Sequence, residues 1–119
     1  MKADEKTKEI LVKKLKEWLS EVYEKMDICI KEIEIADTVE NVMRYKKKLL
    51  LDYLCETPLD ASTCYFCIDE GNFCEDCLYA KYHKPCGEVG SDYYEIKKAL
   101  RRLITLIDEK YYSGEKYEE

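Results

Sequence analysis

Glycine and proline are scarce in this chain, at 4 and 2 of 119 residues. A sandwich or barrel of many short strands needs turn residues at regular intervals, so the composition speaks against that class. Long apolar runs are also lacking. The longest aliphatic stretches are a few residues, as in Leu49-Leu50-Leu51, far too short to span a bilayer. A basic surplus is missing: 20 Lys and Arg stand against 26 Asp and Glu, leaving a charge of −6, which argues against a general nucleic-acid coat protein. The start, Met1-Lys2-Ala3-Asp4-Glu5-Lys6, leads into a charged helix rather than the apolar core of a secretory signal. There is one His, there are two Phe, and Gln is absent.

What is abundant is charge, at 39% of residues, with 11 Tyr and 7 Cys. The length suits one domain. Between Thr7 and about Ile35 the apolar residues Leu11, Leu15, Trp18, Val22, Met26, Cys29 or Ile30, and Ile33 recur in steps of three and four. That spacing places one stripe on a helix about 40 Å long. Asp37 and Glu40 have capping-box spacing, so a second helix is expected over 38–56, with a stripe of Val39, Val42, Met43, Leu49 or Leu50, Tyr53 and Leu54. Thr57-Pro58 stops it. No Gly or Pro interrupts 30–45, so one continuous helix is the alternative; the expected short break at residue 37 lets the two stripes face each other as a hairpin. Asp92 and Glu95 repeat the box and predict a third helix over 92–113. Its side is formed by Tyr93, Ile96, Leu100, Leu103, Ile104, Ile107 and Tyr111, with Gly114 as the stop.

Between helices two and three lies the chemistry. Cys64-Tyr-Phe-Cys67 is followed after six intervening residues by Cys74-Glu-Asp-Cys77, and after eight more intervening residues by Cys86. A two-residue spacer lets both sulfurs of a pair point at one locus, as tetrahedral zinc requires. Gly71-Asn72, in the middle of the six-residue spacer, can reverse the chain and bring the second pair to the first. The segment has few bulky aliphatics to hold it otherwise, whereas structural zinc contributes on the order of 10–16 kcal/mol in small zinc peptides. Zn²⁺ on Cys64, Cys67, Cys74 and Cys77 is the expected arrangement, with Cys86 and His83 as further candidate ligands. Disulfides among these thiols, an iron–sulfur cluster and a redox C-x-x-C are the alternatives. Rich Lys, Glu, Ile and Tyr without Gln fits a thermophile, where intracellular disulfides occur. Cys29 and Cys55, on the helices, are expected as buried free thiols.

The cysteine segment from Ser62 to Ser91 carries five acidic residues against two lysines, and thiolates on zinc add negative charge, so it repels phosphate. The basic clusters lie elsewhere. Arg44, Lys46, Lys47 and Lys48 fall on helix two, and Lys97, Lys98, Arg101 and Arg102 form i,i+4 pairs on helix three that could track a nucleic-acid backbone. Such clusters are also the ordinary solvated face of an amphipathic helix. No Gly-rich phosphate loop, G-x-S-x-G or H-E-x-x-H is present, and surplus cysteine suits a closed structural site rather than a catalytic one. The many tyrosines favour protein contact or self-association.

Taken together, Cys64, Cys67, Cys74, Cys77, Cys86-Gly87 and Tyr93-Tyr94 resemble a group of small uncharacterised proteins of phages and archaea. These carry two C-x-x-C pairs, a further Cys in a Gly-containing turn and a Tyr-bearing helix. Many of them place Pro after the second pair, where this chain has Leu78. The resemblance implies a metal or disulfide role for Cys86 and no particular activity.

The expectation is therefore an all-α single domain over 1–119. It comprises three amphipathic helices, a long helical hairpin plus the third, and a zinc-stabilised cysteine-rich insert at about 62–90. The expected role is that of a cytoplasmic, non-enzymatic protein-interaction or assembly module. The alternatives are a nucleic-acid-binding regulator using the basic face of the third helix, or a disulfide-stabilised helical protein of a thermophile.

Overall fold

Each of the three long helices begins where a side-chain oxygen accepts an early helical N–H, the commonest way to satisfy donors that have no partner in the preceding turn. A computed structural model describes residues 1–69 and 89–114 of the chain. In it, α1 spans Glu5–Ile35, α2 Val39–Cys55, a short α3 Tyr65–Asp69 and α4 Asp92–Lys110, with a 3₁₀ turn at Ala61–Thr63. Among the described residues all regular structure is helical, and no helix is long and apolar enough to cross a membrane.

The caps differ from the sequence expectation by a residue or more. Asp4 begins α1, its Oδ2 accepting from the Thr7 N–H at 2.9 Å. The helix therefore starts at Glu5 rather than Thr7. Thr38, not Asp37, caps α2, accepting from the Asn41 N–H at 3.2 Å with its own backbone extended at φ −115° and ψ 151°. Ser91, not Asp92, caps α4, accepting from the Tyr94 N–H at 3.1 Å. Asp92 becomes the first helical residue, where a carboxylate complements the helix dipole. Adjacent Asp-Thr and Ser-Asp dipeptides offer two competent caps each, and spacing alone does not choose between them. At the other end α4 stops at Lys110 rather than 113. Tyr112 takes the left-handed conformation at φ 47°, the position that glycine commonly fills, and Gly114 follows at φ 75°.

The described chain divides into two compact units. One holds Met1–Leu19 with the described part of Pro58–Ala99; the other holds Ser20–Thr57 with the described part of Leu100–Glu119. In the second unit, α1 and α2 form the expected antiparallel hairpin. Lys25 pairs with Glu56, the Cys29 thiol lies 3.9 Å from Asp52 Oδ2, and Lys48 lies 3.7 Å from Glu32. Residue numbers rise on α1 as they fall on α2, which fixes the register. Between these contacts runs the apolar seam. Val22 and Cys29 are buried, and Met26 and Ile33 half-buried. The choice left open between Cys29 and Ile30 falls to Cys29, at 1% exposure against 46%.

The stripes on α2 and α4 are covered only in part. Val39, Tyr53, Ile96 and Leu103 were expected inside and are exposed. On α4 the half-buried residues are Tyr93, Tyr94, Lys97, Leu100, Ile104 and Ile107, with Tyr111 just past its end, so the covered face is turned toward Lys97 and leaves Ile96 and Leu103 on its flank. Lys47 Nζ also donates to Asp108 O and to Ser113 Oγ, each at 2.6 Å. These bonds give a carbonyl in the last turn of α4 the donor it lacks within the helix.

Candidate functional site

The site begins with a helix stop. Proline at 58 ends α2, whose last N–H bonds run from Glu56 to Asp52 O at 3.1 Å and from Thr57 to Leu54 O at 3.3 Å. Asp60 then gathers the next turn. Its Oδ1 accepts from Ser62 Oγ at 2.6 Å, and Thr63 N–H donates to Asp60 O at 3.2 Å. The Ser62 hydroxyl, assisted by Thr63, holds the Asp60 carboxyl below its ordinary value. Serine and threonine serve here as turn-makers. Their turn delivers the chain to Cys64, whose carbonyl accepts the first α3 bond, from Ile68 N–H at 3.0 Å.

Cys64 and Cys67 are both half-buried on this one turn, three residues apart and hence on the same side of it. The sequence expectation of a loop from residue 62 gives way here to a 3₁₀ turn and a helix. Of the proposed ligands only these two are placed: Cys74, Cys77, His83 and Cys86 lie outside the described residues. Among the described residues no group of three or more His, Cys, Asp or Glu side chains is disposed to hold a metal ion. What the described residues contribute is two sulfur donors on one turn, of the soft type that zinc prefers.

Two residues of α3 reach the start of α1. Tyr65 Oη accepts from the Asp4 N–H at 2.8 Å, and Asp69 Oδ1 accepts from Thr7 Oγ1 at 3.0 Å. The same Thr7 hydroxyl is 2.9 Å from Asp4 Oδ2. Its single proton is therefore shared between two carboxylates. Thr7 is buried, at 6% exposure. The Thr7 backbone N–H, and after it the hydroxyl, hold the Asp4 carboxyl below its ordinary value. Tyr65 and Phe66 meet edge to face at 5.7 Å. Periodicity gave no sign of this cluster, because its members are polar; the D-x-x-T spacing of Asp4 and Thr7 was the signal available.

The two helical thiols part company. Cys29 is buried and free, with desolvation pushing its thiol pKa up, partly opposed by Lys48. Cys55, expected to be buried, is free and exposed near the end of α2.

The basic residues of α4 are also sorted. Lys97 is half-buried and holds its ammonium 5.1 Å from the centre of the Tyr93 ring. Lys98, Arg101 and Arg102 are exposed. On α2, Arg44 and Lys47 line a shallow groove with Glu40, Asn41 and Tyr112–Gly114. Arg44 donates to Asn41 and Lys47 to the end of α4, so both cations are engaged within the fold.

No family model, curated protein or solved structure matches the chain.

Proposed function

We propose that the protein is a non-enzymatic, zinc-binding helical module that acts through protein contact or self-association in the cytoplasm. The observation that carries the metal half of this reading is the Cys64–Cys67 pair. Two sulfurs share one side of a hydrogen-bonded turn, and a second C-x-x-C follows six residues later. Four thiolates from Cys64, Cys67, Cys74 and Cys77 would close a tetrahedral structural site, with Cys86 or His83 as a substitute ligand. Contact is favoured by the large apolar side chains left in solvent. On α1 alone Leu19 is 59%, Tyr23 71% and Ile35 80% exposed, a pattern associated with binding surfaces when such residues adjoin.

Native mass spectrometry of the purified chain, before and after chelation and after reduction, tests the metal. One zinc mass lost to the chelator supports the reading. A mass rising by two protons per bridge on reduction, with no metal, favours the disulfide-stabilised alternative, and an iron and sulfide increment favours a cluster. Light scattering tests association: an oligomer that Leu19→Glu dissociates supports it, and a monomer at all concentrations counts against it.

A second reading, a nucleic-acid-binding regulator, is favoured by the exposed row of Lys98, Arg101 and Arg102 on α4. A salt-dependent shift of labelled DNA that Arg101→Ala with Arg102→Ala abolishes is its signature.

A further inference from the structure

We infer that Thr7 and Tyr65 are positioning residues for the metal: they clasp the cysteine-bearing helix α3 onto the start of α1, presenting Cys64 and Cys67 as a preformed half-site. This rests on the zinc reading above. A five-residue helix has too few internal hydrogen bonds to persist alone, and α3 is that short. Its two outer anchors lie at its ends. Tyr65 adjoins Cys64, and Asp69 stands two residues past Cys67. They meet Asp4 and Thr7 at 2.8 and 3.0 Å across 61 and 62 residues of sequence.

The clasp is itself held rigid. Asp4 Oδ2 takes both the N–H and the hydroxyl of Thr7 at 2.9 Å, so the hydroxyl that reaches Asp69 is oriented by the cap of α1. Thr7 is buried and its bond to Asp69 part-buried, although Asp69 itself is exposed. A metal that must order its own ligands loses affinity to the ordering, and a half-site ordered beforehand avoids part of that loss. The N-terminal turn of α1 is thus coupled to a metal site more than 50 residues away in sequence.

The test uses the full-length chain carrying Thr7→Val, Thr7→Ser or Tyr65→Phe. Zinc affinity is read by competition with a chromophoric chelator. Exchange of the Ile68 amide, which bonds Cys64 O, is read in the reduced, metal-free protein. Removing the Thr7 hydroxyl, which contacts both Asp4 and Asp69, by Thr7→Val, or the Tyr65 hydroxyl that accepts from Asp4, by Tyr65→Phe, is expected to weaken zinc about fivefold and to speed Ile68 exchange, whereas Thr7→Ser keeps both near wild type. Unchanged zinc affinity in both Thr7→Val and Tyr65→Phe overturns the clasp while leaving the zinc reading intact. A wild-type chain that takes up no zinc removes the zinc reading itself, a result distinct from the first.

Discussion

The two ends of α1 are secured by different physics. Near its start, Asp4 and Thr7 bind α3 through short polar contacts, with Thr7 buried among oxygens. Toward its end, Val22 and Cys29 are buried against solvent, and ion pairs to Glu56 and from Glu32 flank the hairpin with α2. Hydrogen bonds of the first kind are directional and fix one arrangement of few atoms. Apolar burial of the second kind is non-directional and grows with area. The first suits the presentation of a site, the second the holding of a scaffold.

Chemical modification sharpens this contrast most. With iodoacetamide near pH 8, Cys55 is expected to react on the order of a hundredfold faster than Cys29, because burial both shields the Cys29 thiol and disfavours its thiolate. Peptide mapping by mass spectrometry gives the two rates separately, and equal rates would contradict the burial of Cys29. Next in size, Val22→Ala should cost about 2 kcal/mol in urea unfolding, while Ile28→Ala, at an exposed position, should stay within about 0.5 kcal/mol. A similar loss at both would mean that the seam does not run where the structure has it.

The caps give a smaller effect with a sharp pattern. Thr38→Ala and Ser91→Ala should each cost about 1 kcal/mol, whereas Asp37→Ala should be close to neutral. Reversal between Thr38 and Asp37 in thermal melts would restore the capping box drawn from spacing alone. The smallest effect is that of acid. The Asp4 and Asp60 carboxyls sit below their ordinary values because Thr7 and Ser62 donate to them. What they contribute to stability is present above the unfolded-state values and is lost as the pH falls through the folded-state ones. In an NMR pH titration the Thr7 amide should therefore shift on the acid side of an ordinary aspartate, and Asp4→Asn should abolish that shift.

Much of the scaffold was legible because helical burial is periodic. Leu11, Leu15, Trp18, Val22, Met26, Cys29 and Ile33 are all at least half-buried, while Ile10, Val12, Leu19, Ile28 and Ile30 are exposed. Periodicity did less well on α4. A stripe read from apolar identity includes Ile96 and Leu103, but the neighbours cover the face that bears Lys97, whose stem can be buried while its ammonium rests on Tyr93. The same limit explains Cys55: an apolar character assigned by residue type carries no information about which side of α2 is covered. Of the cysteine site, the pairing and spacing of Cys64 and Cys67 were readable. The 3₁₀ turn and the helix that seat them were not, since Asp60, Ser62 and Thr63 look like ordinary loop residues until their hydrogen bonds close.

The amino-acid order alone settled the helical class, the stop at Thr57-Pro58 and most of the apolar seam of α1, because these depend on neighbours within a turn or two. Tertiary structure decided which of two adjacent residues caps a helix, which flank of α4 is covered, and that Asp4 and Thr7 meet Tyr65 and Asp69. The last of these joins residues some 60 positions apart, where local propensity has no reach.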